Sequence, residues 1–176
     1  MSVGLVCGVA APIVAKEGGT WLFAGAVLVF ITVGCDRVYA LAVAGVAQDS
    51  RRTLVFVPLA ARITEAAWLY GFWKLGVPLG VVIGAGALSL LHEYLRARGQ
   101  IAGLREVGIS TLGERWGRAG TALVGYGVSG IVALTSSSMA GGLATGILTM
   151  AATAWLLLAV LGFVQLAIVM SAALRK

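Results

Sequence analysis

Long apolar runs divided by short polar breaks set the plan of this chain. Residues 2–15 form one such run, closed by the turn-forming stretch Lys16-Glu17-Gly18-Gly19. A second run spans about residues 20–47 and carries Asp36 and Arg37 near its far end, before the basic segment Gln48-Asp49-Ser50-Arg51-Arg52. Residues 53–74 predict a third helix, with Pro58 in its first turns, where a missing amide proton costs least. Gly76-Val77-Pro78 breaks the chain again, and a fourth helix continues to Arg98 through His92-Glu93-Tyr94-Leu95-Arg96. Residues 99–117 read as the one long polar connection. A fifth helix follows over about 118–134, a turn over 135–142, and a sixth helix over 143–174.

A membrane crossing takes about 20 apolar residues, so these runs predict an all-α membrane protein of six transmembrane helices. The first run is short for a span and has to stand nearly upright. No linker, repeat or polar tail divides the chain, so residues 1–176 read as a single integral membrane domain. The first run lacks a basic leader and a small-residue cleavage site, which argues against a cleavable signal peptide.

Composition sharpens this. With 60% hydrophobic and 11% charged residues, the chain is too apolar for a soluble domain of its size. Its 25 glycines suit helices that approach closely where water supplies no drive to associate. The net charge of +6 does not indicate nucleic acid, because the basic residues gather on one side of the predicted bundle. Arg37, Arg51, Arg52, Arg96, Arg98, Arg105, Arg115, Arg118, Arg175 and Lys176 fall on that side, Lys16 and Lys74 on the other, and Arg62 lies within a helix. The positive-inside rule then places both termini in the cytoplasm, with the protein in a bacterial cell membrane. Cys7 and Cys35 lie in apolar runs and read as small buried hydrophobes.

Several motifs carry a resemblance. Arg62-Ile63-Thr64-Glu65-Ala66, Tyr94-Leu95-Arg96-Ala97-Arg98, Gly103-Leu104-Arg105, Val107-Gly108-Ile109 and Glu114-Arg115-Trp116-Gly117-Arg118 occur in that order. They resemble stretches of the CDP-alcohol phosphatidyltransferases, in particular actinobacterial phosphatidylinositol-phosphate synthases. The family signature D-x2-D-G-x2-A-R-x8-G-x3-D-x3-D can be laid without a gap from Asp36 to Ala61. Asp36 takes the first aspartate, while Tyr39, Val57 and Ala61 stand at the other three. The resemblance implies a CDP-alcohol phosphatidyltransferase-like bundle, a tendency to dimerise and an ancestral reaction in phospholipid biosynthesis.

That reaction transfers a phosphoryl-linked group from a CDP-alcohol to a hydroxyl and uses several carboxylates to hold divalent cations. With one aspartate left, neither a metal nor any other cofactor is expected. Glu65 lies one turn beyond Ala61, about 5.4 Å along the helix, and three residues from Arg62. Arg62 and Glu65 therefore read either as a neutralised intramembrane pair or as catalytic groups; intramembrane charges in either case mark a polar pocket. Asp36 reads as a remnant that caps or that pairs with an arginine of the third or fourth helix. His92, the single histidine, reads as an interfacial side chain. Trp21, Trp68, Trp73 and Trp155 read as packing residues or interface anchors.

Arg96, Arg98, Arg115 and Arg118 stand where the resembled synthases use basic residues near the acceptor's phosphate, so they are candidates for an anion site. Topology alone would also put arginines there. Arg62, Tyr39 and Ala61 are expected to wall a cavity. Three functional readings follow. The chain is a homologue without transfer activity that binds membrane lipid, or pairs with itself or with an active paralogue. Alternatively, it is a repurposed enzyme using Asp36, Glu65 and His92 for metal-free acid/base chemistry on a lipidic substrate. In the third reading it is a phosphatidyltransferase with a rebuilt site.

Overall fold

The computed structural model describes residues 2–44, 51–104, 114–135 and 140–175. Among these residues six helices follow one another: α1 (Ser2–Ala15), α2 (Trp21–Ala44), α3 (Arg51–Lys74), α4 (Leu79–Ile101), α5 (Arg115–Thr135) and α6 (Ala140–Ala173). No strand occurs among the described residues. The predicted breaks therefore fall where glycine and proline put them. α3 ends at Gly76 with φ 95°, and the amide of Val77 returns to the Phe72 carbonyl at 3.1 Å. α4 ends the same way at Gly103 with φ 78°, where the Leu104 amide reaches the Gly99 carbonyl at 3.1 Å. In both, a left-handed residue turns the chain so that late carbonyls of the helix find donors.

The long polar connection expected over 99–117 is shorter at both ends. α4 runs on to Ile101, and α5 begins at Arg115. Arg115 is thus a first-turn residue of α5 and not a loop residue; its neighbour Glu114 supplies the carbonyl that accepts from the Arg118 amide at 3.3 Å. The end of this stretch reads as a loop because Glu114 and Arg115 look solvated, whereas Arg96 of α4 and Asp36 of α2 pair with them.

α1 packs on α2 and α3, α2 on α5, α5 on α6, and α6 on α4. Small residues set the closeness of these crossings. A Cβ on Gly130 of α5 would lie 2.6 Å from the Phe23 nitrogen of α2. At the α1 and α3 crossing, Trp68 Nε1 donates to the Gly8 carbonyl at 3.0 Å. The core centres on Trp68 and Trp155, packed edge to face at 6.5 Å, and on Phe72 against Tyr126 at 4.9 Å. Buried polar tips are satisfied: Tyr126 donates to the Trp68 carbonyl at 3.0 Å, and Trp155 Nε1 to Ser89 Oγ at 3.1 Å. Trp68 and Trp155 are core residues, while Trp21 and Trp73 lie exposed.

The exterior is apolar on every helix, with Val6, Phe30, Phe56, Ile83, Val124 and Met150 among the exposed large side chains. Among the described residues two stretches, Trp21–Ala42 and Gly142–Ala173, are long and apolar enough to cross a membrane.

Candidate functional site

Charged side chains from four helices meet at one end of the bundle. α2 contributes Asp36, α3 contributes Arg62 and Glu65, α4 contributes His92, Glu93 and Arg96, and α5 contributes Arg115 and Arg118, with Glu114 just ahead of it. Arg62 and Glu65 are three residues apart on one helix and so share a face, as do Arg115 and Arg118 on another. Arg62 meets Glu65 with both terminal nitrogens. Nη2 donates to Oε1 at 2.9 Å, and Nη1 lies 2.9 Å from Oε2.

Arg118 is wholly buried. Its Nη2 donates to Glu93 Oε1 at 2.8 Å, and its Nε lies 3.2 Å from Glu65 Oε2. Arg115 is the widest bridge of the set. Its Nε donates to Asp36 Oδ2 at 3.0 Å and its Nη2 contacts the same oxygen, while Nη1 donates to the Ala61 carbonyl at 2.8 Å and to Thr64 Oγ1 at 3.3 Å. Arg115 Nη1 also stands 3.6 Å from Glu65 Oε1. At the outer edge, Arg96 Nη2 donates to Glu114 Oε1 at 3.0 Å. Four carboxylates (Asp36, Glu65, Glu93, Glu114) thus face four guanidiniums (Arg62, Arg96, Arg115, Arg118), and their charges cancel.

Beside this network lies a cavity of about 420 Å³. Arg62, Tyr39 and Ala61 line it, as do Asp36, Glu93, Arg96, Glu114 and Arg115. Leu5, Ala40, Val57, Pro58 and Ala60 form an apolar wall, and Trp116 stands at the edge with the Arg37 guanidinium 4.0 Å above its ring.

The predicted arginine quartet does not gather around one point. Arg96 pairs with Glu114, Arg115 with Asp36, and Arg118 with Glu93 and Glu65, while Arg98 is exposed beside the Tyr94 ring at 5.7 Å. Asp36 does pair with an arginine, but from α5 and not from the third or fourth helix. His92 is fully buried, not interfacial, with Nδ1 3.9 Å from Glu93 Oε1. Three residues on, Leu95 of the same helix packs against Leu166 and Met170 of α6. Of Asp36, Glu65 and His92, only Asp36 reaches the cavity wall.

Sequence reasoning passed over Glu93, Glu114, Thr64 and Trp116. The spacing of Arg115 and Arg118 would have exposed part of this, had the helix start been placed three residues earlier.

The chain matches no protein-family model, no curated protein and no solved structure. The site is therefore interpreted from its own donors. Around Asp36 these are one carboxylate, a peptide carbonyl, a hydroxyl and a guanidinium already bound to the first three. That set does not fit a divalent cation, because a fixed positive charge stands among the oxygens that a cation would need. Among the described residues, no three His, Cys, Asp or Glu side chains are grouped to hold a metal.

Proposed function

We propose that this chain is a six-helix integral membrane protein of CDP-alcohol phosphatidyltransferase-like fold, without metal-dependent transfer, that binds membrane lipid. One observation carries the loss of transfer. The Arg115 guanidinium spans from Asp36 to the Ala61 carbonyl, which are the first and last positions of the signature. In the resembled enzymes those positions offer carboxylates to metal ions. Here an internal cation sits between them.

The membrane placement rests on the apolar exterior of all six helices, on the two long apolar stretches, and on the location of the charge network. A network with no net charge at one end of an apolar bundle suits a site near the membrane face, where paired charges avoid lipid. The start of α1, where Gly4 lies by Asp36, and the end of α6, where Met170 packs near Leu95, are on the side of that network, which the positive-inside rule makes cytoplasmic.

The test is a titration of the purified protein with magnesium and manganese, with and without CDP-diacylglycerol, together with an assay for CMP release. No saturable binding in the millimolar range and no CMP are expected. Saturable metal binding abolished by Asp36→Asn, or CMP formed above the level of protein-free vesicles, overturns the reading.

A further inference from the structure

We infer that the cavity beside Asp36 binds an uncharged lipid alcohol, with its hydroxyl on Asp36 and its chain along the apolar wall. The inference rests on the metal-free reading of the site and adds a ligand class to it. Three observations point the same way. The first is an unused acceptor. Both Arg115 bonds to Asp36 end on Oδ2, and Oδ1 receives no hydrogen bond among the described residues, although the residue lines the cavity. A carboxylate oxygen accepts and never donates, so its complement is a hydroxyl or an amine, not a phosphate.

The second observation is the charge of the wall. Asp36, Glu93 and Glu114 line the cavity together with Arg62, Arg96 and Arg115, so the wall carries three charges of each sign. The arginines are already engaged by carboxylates. An anion entering this space would give up its hydration while each arginine of the lining is already paired with a carboxylate, which is a net cost. A neutral head loses far less on entry.

The third observation is the apolar part of the lining. Leu5, Ala40, Val57, Pro58 and Ala60 give the cavity an apolar side, and the same stretch of α3 exposes Val55, Phe56 and Leu59. An acyl chain leaving the cavity would therefore stay on apolar surface. A volume of about 420 Å³ holds a glycerol-sized head with the start of its chains.

The experiment uses the full chain in phosphatidylcholine nanodiscs and a diazirine-bearing 1,2-diacylglycerol as photoprobe, with crosslinked peptides mapped by mass spectrometry. Labelling is expected on peptides containing Leu5, Val57 or Trp116. A fall in labelling of about tenfold or more is expected with 1,2-dioctanoylglycerol in large excess, and the loss of one hydrogen bond to a charged group corresponds to about tenfold or more in affinity. Trioctanoylglycerol, which has no hydroxyl, and dioctanoylphosphatidate, which is anionic, should compete at least about tenfold less well. Glu114→Gln leaves Arg96 in excess on the wall and should turn dioctanoylphosphatidate into an effective competitor.

Equal competition by trioctanoylglycerol overturns the role of Asp36, and equal competition by phosphatidate overturns the charge argument. Absence of cavity labelling overturns the site. If Glu114→Gln fails to fold, the wild-type competition series still decides. CDP-diacylglycerol competing only when magnesium is present would instead refute the metal-free reading, so the two failures are told apart.

Discussion

Replacing Arg115 by methionine keeps most of the side chain's apolar stem and removes its guanidinium. The change deletes the bonds to Asp36, the Ala61 carbonyl and Thr64, and the 3.6 Å approach to Glu65. A hydrogen bond to a charged group contributes roughly 1.5–3 kcal/mol, and removing one member of a fully buried pair costs roughly 3–5 kcal/mol. The Arg115 side chain is 20% exposed and that of Asp36 33%, so water takes over part of what is lost. The low end, about 2–3 kcal/mol, is the expected destabilisation. For a chain of this length that corresponds to a fall in melting temperature of about 5–10 °C.

The assay is thermal unfolding in a neutral detergent of the parent, Arg115→Met, Asp36→Asn and the double variant. Because Asp36 and Arg115 hold each other, the double variant should lose clearly less than the sum of the singles, with a coupling of about 1–3 kcal/mol. A melting temperature unchanged by Arg115→Met, or strict additivity across the cycle, would refute the bridge.

Other perturbations have graded outcomes. Glu65→Gln leaves Arg62 and the buried Arg118 short of countercharge and should destabilise by about 3–5 kcal/mol, more than Glu114→Gln at the solvated edge; the reverse order in thermal unfolding would contradict the burial argument. Gly130→Ala drives a methyl to 2.6 Å from the Phe23 nitrogen and should cost about 1–3 kcal/mol, whereas Gly120→Ala, with nothing within 4 Å, should leave the melting temperature unchanged or slightly raised. In intact cells, a cysteine placed at Gly18 should react with an impermeant thiol reagent while tags at both termini report cytoplasmic; labelling only after permeabilisation reverses the orientation.

Most of the fold was legible because its punctuation is local. Gly18 and Gly19, Gly76 with Pro78, and Gly103 mark turns that any apolar run must obey, and the helices end there. The start of α5 was not legible, because Arg115 and Trp116 look like loop residues until Asp36 and Arg37 of α2 are brought beside them. The same divide runs through the site. The contact between Arg62 and Glu65 follows from spacing on one helix, whereas Arg118 meets Glu65 and Glu93 across three helices, and no periodicity encodes that. His92 differs for a related reason: its place near a helix end reads as interface, whereas the side chain is fully buried.

The cancellation of four carboxylates by four guanidiniums also bears on how this chain can change. A new aspartate at Val57 or Ala61 would bring the sum to minus one while the Arg115 guanidinium still stood between Asp36 and residue 61. Removing Arg115 first would strand Asp36 and loosen the start of α5. Each single step toward a cation site is therefore opposed by stability before any activity could reward it, so the network acts as a ratchet: two or more simultaneous substitutions separate this protein from metal chemistry.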